Sequence, residues 1–400
     1  MHFSGETMKI IDLPEHIMFI MNKLVSEGHE CYLVGGSVRD ALMGRPVRDW
    51  DIATSAKPVE VASLFPKTVL TGEKFGTVTV VLPECSVEVT TFRTESEYTD
   101  SRHPTTVEFV SSINEDLSRR DFTINAMAKS INGELIDPYD GVSDIEKGII
   151  RCVGGPNTRF SEDALRMYRA FRLSAELEFE IEKETLHAIY ANIGLAARIS
   201  SERIRIELEK TVMSQRPEVA GEMIRVGLLG RYITVSGKSP DGLTKIANLP
   251  EELTLRGCAF CGVLINNGYM KSAEEFLHTL RLDSKTIKIC QRALTITDFP
   301  TEIIDIKRLL SKNDAAVVRC AAAVSDVLSK TGEENSLKKV DDIIASGECV
   351  TLGELDVTGK DLMELGHSSG KELGETLYKM LEHVLENPED NKREVLLSLL

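Results

Sequence analysis

Several things are scarce in this chain, and each scarcity excludes a class of protein. No long uninterrupted apolar run occurs, so no stretch resembles the roughly 20 apolar residues that a membrane-spanning helix needs. Residues 1–20 lack a basic segment followed by an apolar core and a cleavage site, which is not how a secretory leader reads. The expectation is a cytoplasmic protein with no membrane association. Cysteines are present but form no framework: the eight, from Cys31 to Cys349, are scattered through mostly apolar sequence and read as reduced, buried thiols. Cys258 and Cys261 have metal-ligand spacing, yet no second pair or nearby histidine completes a zinc site, so helix core is the better reading. Positive charge is in deficit. A formal net charge of −16 argues against a protein that coats nucleic acid indiscriminately, because such affinity comes from Lys and Arg neutralising phosphates. Internal repeats and low-complexity tracts are also missing.

What is present is 400 residues, 42% of them hydrophobic, enough for about two to four domains. From Cys31 to about Val153, short β-branched runs alternate with turns and short helices. Strands are expected at Cys31 to Val34, Asp49 to Ala53, Thr77 to Leu82, Val87 to Thr91, Val107 to Val110 and Ile149 to Val153. That pattern is an α/β domain with a mixed sheet. From Ser161 onward the apolar residues recur at helical spacing, as in Leu165, Tyr168 and Leu173, or Ile204, Leu208 and Val212, and the remainder reads as all-α. Breaks are expected near Gly227 to Pro250, Gly332 to Ser336 and Asn387 to Asp390. The polar stretch from Arg93 to Thr106 is a candidate mobile functional loop.

The chemistry concentrates in the α/β part. Asp49 and Asp51 flank Trp50 on an expected strand, whose two-residue period would put both carboxylates on one face. Adjacent carboxylates repel unless a cation sits between them, and hard oxygen donors suit Mg²⁺, which completes its shell with waters and substrate phosphates. Glu88, between Val87 and Val89, supplies a third acid on the face opposite the core. Three acids from two strands suit a two-metal site, one ion activating a hydroxyl and the other steadying a leaving pyrophosphate. Just upstream, Gly35-Gly36-Ser37-Val38-Arg39-Asp40 follows a strand and opens a helix, where glycines let backbone N–H groups approach a phosphate and Arg39 could reach the same triphosphate.

A second constellation lies in the first helical part. Eight arginines between Arg151 and Arg205 make a candidate track for a polyanion. Glu162 to Arg172 reads as a helix capped by Ser161, with Asp163, Arg166, Arg169 and Arg172 three apart along one stripe. A bland reading is intrahelical salt bridging. The sharper one is base recognition: cytosine and adenine each offer an amino donor beside a ring-nitrogen acceptor, which a carboxylate next to a guanidinium complements, while uracil and guanine oppose it. One such surface could select CTP and ATP without a template.

The run Leu33 to Asp40, then Arg48 to Thr54, then Arg119-Arg120-Asp121-Phe122-Thr123-Ile124-Asn125-Ala126-Met127, then Glu162-Asp163-x-x-Arg166 resembles the class II tRNA nucleotidyltransferases, the CCA-adding enzymes, in order and spacing. The likeness runs from about Tyr32 to Gly230 and, more weakly, through Val357 to Leu400, where Thr358 to Leu362 looks like the family's tail. The resemblance implies a polymerase-β-like nucleotidyltransferase head (1–150), a helical neck for nucleotide recognition (151–212), a helical body (213–330) and a helical tail that contacts tRNA (331–400), in a seahorse-like shape. It implies that Asp49 and Asp51 hold Mg²⁺ with Glu88 as the third carboxylate. Gly36, Arg39 and Arg120 would bind the nucleotide, and Asp163, Arg166, Arg169 and Arg172 would form the recognition set. ATP and CTP would be the substrates and the acceptor stem and elbow of tRNA the partner; no obligate protein partner is evident. The polar loop would correspond to the family's flexible loop, needed for the final A, and its full length argues against CC-only addition. Bacterial poly(A) polymerases share the same head, so poly(A) synthesis, A-only addition and a catalytically silent RNA-binding relative remain alternatives. The mixed rather than strongly basic stretch Leu381 to Leu400 favours tRNA, and no His-Asp dipeptide marks a fused phosphohydrolase.

Overall fold

The computed structural model describes residues 13–47, 49–72, 76–83, 85–98, 104–234, 239–329 and 335–400. The chain divides into two compact units, one comprising Met1–Thr211 with Val226–Arg231, the other Val212–Arg225 with Tyr232–Leu400.

The first unit opens with α1 (Glu15–Ser26), β1 (Cys31–Val34), α2 (Gly36–Leu42), β2 (Asp51–Thr54), α3 (Pro58–Leu64), β3 (Thr68–Gly72), β4 (Thr77–Val81) and β5 (Ser86–Thr91). A hairpin of β6 (Arg93–Tyr98) and β7 (Pro104–Phe109) follows, then α4 (Ile113–Ser118), β8 (Ala128–Ser130), β9 (Leu135–Ile136), α5 (Gly141–Lys147) and β10 (Ile149–Ile150). Seven strands form one mixed sheet in the order β3-β4-β5-β2-β1-β8-β9, with β2 and β5 parallel and the other pairs antiparallel. The central strands are apolar on both faces: Leu33, Val34, Ile52 and Ala53 are all essentially inaccessible, as expected where both sides of a sheet are covered. On one side Val34, Ala53 and Phe92 pack with Ile113 and Leu117 of α4. β5 alternates instead, Val87 and Val89 buried and Glu88 exposed, so one of its faces is left for polar work.

The expected strands are there with shifted ends: β7 starts at Pro104 and not at Val107, and β10 stops at Ile150, short of Val153. β2 begins at Asp51, not Asp49, because pairing to β5 starts at Asp51 and pairing to β1 at Ile52; Asp49 sits in the bend before it. The polar stretch from Arg93 is not an irregular loop. It is an antiparallel hairpin, registered from Arg93 opposite Phe109 to Tyr98 opposite Pro104, and only its tip, 99–103, lies outside the described residues.

The first unit continues with α6 (Pro156–Glu162), α7 (Leu165–Leu177), β11 (Glu180–Ile181), α8 (Lys183–Asn192) and α9 (Ser201–Met213), the last ending just across the division. Strand structure does not stop at Ser161, since β11 pairs in parallel with β10. Nor does a helix start there: Ser161 lies inside α6, and the backbone leaves helical geometry at Asp163, whose carboxylate accepts the Leu165 N–H at 3.0 Å to open α7. The apolar residues read at helical spacing, Leu165, Tyr168, Leu173, Ile204 and Leu208, are buried.

The second unit is helical among the described residues: α10 (Val219–Val226), α11 (Leu253–Asn266), α12 (Ala273–Thr279), α13 (Ser284–Leu294), α14 (Ile303–Leu310), α15 (Ala315–Leu328), α16 (Ser336–Ser346), α17 (Gly359–Glu364), α18 (Lys371–Glu386) and α19 (Arg393–Leu397). α15 packs against α11, α13 and α16. Cys258 and Cys261 are buried in α11 as core, and all eight cysteines are free. A separate cluster built on Val357, Leu362, Met380, Leu381 and Val384 forms the C-terminal core, where Thr358 and Asp361 cap α17 reciprocally. No described helix is long and apolar enough to cross a membrane.

Candidate active site

The turn between β1 and α2 is where backbone geometry first demands a particular residue. Gly35 has φ +72°, a left-handed conformation that glycine adopts without strain. A side chain there would also collide: a Cβ on Gly35 would lie 2.9 Å from Arg120 Nη1 and 3.6 Å from Asp51 Oδ2. The glycine turn, the guanidinium of Arg120 and the carboxylate of Asp51 therefore meet at one point. At Gly36 the missing side chain lets Arg39 fold over the turn, its Nη2 3.4 Å from the Cβ position.

Asp51 and Glu88 are direct partners in the parallel β2–β5 register, which sets both carboxylates on the same face of the sheet. Asp49 is exposed in the adjoining bend. Burial pushes the Asp51 carboxyl above its ordinary range; Arg120 opposes the shift, and the charges of Glu88 and Asp49 add to it. Two further acids acting on one half-buried carboxylate, with one arginine as counterweight, leave negative charge that a cation would neutralise. Among the described residues no three His, Cys, Asp or Glu side chains are gathered into a ready-made cage. Mg²⁺ does not require one, because it is commonly held by one or two carboxylates plus waters and substrate phosphates. Asp51 beside the glycine turn, with Asp49 near enough for its charge to act on it, is a donor set that fits Mg²⁺.

Two chains of contacts lead away from this point. Arg39 donates from Nη1 to Asn125 Oδ1 at 2.6 Å; Asn125 Nδ2 donates to Asp121 Oδ1 at 3.2 Å; Asp121 Oδ2 accepts from Arg169 Nε at 2.8 Å. Burial alone would push Asp121 up, but Arg169 and Arg166 hold it well below the usual carboxylate range. The second chain runs from Arg120 Nη2 to Asp116 Oδ2 at 3.2 Å. Asp116, Asp121 and Asn125 are not among the residues the sequence singled out, although the last two stand inside the Arg119 to Met127 motif.

The arginine stripe of α7 is assembled differently from the expected one. The Asp163 carboxylate is gripped by Arg203 of α9, Nη1 to Oδ1 at 3.3 Å and Nη2 to Oδ2 at 2.7 Å. Arg166 is buried against Glu162, 2.5 Å away, and donates to the carbonyls of Arg159 (3.1 Å) and Arg119 (2.9 Å). Arg169 pairs with Asp121, and Arg172 with Glu207 at 2.5 Å and Glu176 at 2.6 Å. The pairing was illegible because Asp163 lies at a break between helices, not on α7, and its partner is forty residues away. Other arginines of the cluster are also partnered within the chain. Arg151 pairs with Asp144 and Glu182, Arg159 with Glu162, and Arg205 with Glu209, so most of these guanidinium groups are neutralised from within. Three donors, from Leu165 and Arg203, take up three of the about four acceptor positions on the Asp163 carboxylate, which leaves room for one more donor.

Known families and proteins match most of the chain. Residues 31–151 match the family described as "Poly A polymerase head domain", 178–231 "Probable RNA and SrmB-binding site of polymerase A", and 259–400 the second domain of tRNA nucleotidyltransferase. A CCA-adding enzyme of Bacillus velezensis is 38% identical over 384 residues, 94% of each chain. That of a Geobacillus species is 39% identical over 377 residues, 94% of this chain and 93% of its own. The crystal structure of the Bacillus stearothermophilus CCA-adding enzyme in complex with CTP superposes with a TM-score of 0.77 at 34% identity, covering 94% of both chains. The Thermotoga maritima CCA-adding enzyme complexed with tRNA shares the fold, with a TM-score of 0.72 at 23% identity over 99% of this chain and 97% of that one. With relatives this similar along nearly its whole length, the chain belongs to the family of CCA-adding tRNA nucleotidyltransferases.

Proposed function

We propose that this enzyme adds C, C and A to the 3′ end of tRNA without a nucleic-acid template. The terminal ribose hydroxyl attacks the α-phosphorus of CTP twice and of ATP once, and each step releases pyrophosphate. The observation that carries this reading is the meeting of Asp51, Glu88, Arg120 and the Gly35 turn at one point of the sheet. In this arrangement Gly36, Arg39 and Arg120 hold the triphosphate. Mg²⁺ held by Asp49 and Asp51, with Glu88 beside them, would activate the attacking hydroxyl and offset charge on the leaving pyrophosphate. Asp163 accepts from the amino group that C and A share, and Arg166, Arg169 and Arg172 line the recognition face with it. Residues 1–150, 151–212, 213–330 and 331–400 then serve as head, neck, body and tail, in a protein that works in the cytoplasm on tRNA acceptor stem and elbow.

Incubating the protein with tRNA lacking its terminus, Mg²⁺ and labelled nucleotides tests the reading. CTP and ATP together should give a discrete three-nucleotide extension that disappears in Asp49→Ala. Long adenosine tails on unrelated RNA would mean poly(A) polymerase; extension only of tRNA already ending in CC would mean A-only addition. Asp163→Ala should raise misincorporation of UTP and GTP by about 10- to 100-fold, the value of one lost contact set of ~1–3 kcal/mol, and unchanged selectivity would count against a base-reading carboxylate.

A further inference from the structure

A buried carboxylate outside the proposed nucleotide contacts joins the catalytic centre to the β6–β7 hairpin. Asp116, within α4, is 1% exposed. Its Oδ1 accepts from the backbone N–H of Arg93 (3.3 Å) and from Arg119 Nε (3.0 Å) and Nη2 (2.7 Å). Arg119 Nε also donates to the Arg93 carbonyl at 3.0 Å, so the first residue of the hairpin is held at both its N–H and its C=O. The other oxygen, Oδ2, accepts from Arg120 Nη2 at 3.2 Å. Arg120 Nη1 is the atom that stands against Gly35, and its charge is felt at Asp51.

We infer that Asp116 is a positioning residue for nucleotide transfer: it fixes Arg120 over the glycine turn and ties the root of the hairpin to that placement. A carboxylate needed only to anchor the hairpin to α4 would use one oxygen. Here the second oxygen is spent on the arginine that reaches the catalytic aspartate. Burial opposes a charge at this position, yet Arg119 and Arg120 hold the carboxyl below its ordinary range, so it stays ionised and able to serve both sides. A guanidinium held from behind by a fixed acid presents its remaining donors in one plane, the preorganisation that stabilises developing phosphate charge.

The inference rests on the reading that Arg120 holds the triphosphate, and a kinetic cycle separates the two. Asp116→Asn keeps the shape and removes the charge; it should lower kcat/KM for CTP and ATP about tenfold. Placed on Arg120→Lys, it should add less than a twofold further loss, because its effect travels through Arg120. If Arg120→Lys alone is fully active, the triphosphate reading is what fails. If the two losses multiply, Asp116 does not act through Arg120 and the inference is overturned. Hydrogen exchange supplies a readout without turnover: in Asp116→Ala the Arg93 amide should exchange at least tenfold faster while Leu33 in β1 is unchanged, and equal protection at Arg93 would refute the tie to the hairpin. Should Asp116→Ala not fold, the cycle with Asp116→Asn decides alone.

Discussion

A single residue, Asp121, shows how placement and charge are bound together here. Its carboxylate accepts from the Phe122 N–H, Asn125 and Arg169, and so joins the segment after α4 to helix α7. Its acidity in the folded state is increased, so its contribution to stability is fully present above the unfolded value near pH 4 and is lost as pH falls through the lower folded value. Arg169→Ala removes the counter-charge and leaves the acid buried. Breaking a buried pair from one side commonly costs about 3–5 kcal/mol, and since the Arg169 side chain is 35% exposed we expect about 2 kcal/mol. Sign and pH dependence follow together: without Arg169 the Asp121 carboxyl rises, protonation relieves it earlier, and the deficit should be largest at pH 7 and narrow on acidification. Denaturant unfolding of both proteins at pH 7 and pH 4 measures this. A deficit that grows at pH 4 would mean that Asp121 is not the group left uncompensated.

The hairpin is the element whose conformation the sequence only half disclosed. Arg93 to Tyr98 alternates no apolar with polar residues, and a strand without that period cannot be told from a loop; only the cross-strand register reveals it. The central strands were legible because both faces are apolar, and the helices because Tyr168, Leu173, Ile204 and Leu208 recur at helical spacing and are buried. The break at Asp163 was not, since Glu162 to Arg172 carries no glycine or proline and the interruption depends on a side-chain bond to the Leu165 N–H. Within the site, Asp49, Asp51, Glu88 and the glycine pair stood in short motifs that local spacing exposes, whereas Arg203 lay beyond the reach of any period. The register also defines a test of whether the hairpin takes part in the choice between C and A. Replacing residues 97–105 with an Asn-Gly turn joins Ser96 to Thr106, which already face each other, and preserves the root at Arg93. We expect C addition within about twofold of the parent and A addition reduced at least tenfold. Equal loss of both would remove the hairpin from the choice between C and A.

Across the whole molecule, a net charge of −16 and a partner made of phosphates pose a problem that the ion pairs sharpen. Arg151, Arg159, Arg166, Arg169, Arg172 and Arg203 all face carboxylates of the chain itself, so they organise the first unit and have less uncompensated charge to offer a polyanion. Each phosphate neutralised by a freely presented cation releases counterions, and log K falls with log salt by about 0.9 per phosphate on a duplex and 0.7 on a single strand. A protein whose arginines are already paired should neutralise few phosphates. The expected slope for tRNA binding, measured by titration between 50 and 300 mM salt, is therefore no steeper than about −4, against about −7 if the eight arginines from Arg151 to Arg205 turned outward together. With a shallow slope, affinity must come from shape and from hydrogen bonds to the acceptor end. Such a protein would release each tRNA readily and discriminate by fit, as an enzyme serving many tRNAs with a common end requires. A slope near −7 would instead mean that the internal ion pairs open when RNA binds, and that the first unit is remade around its substrate.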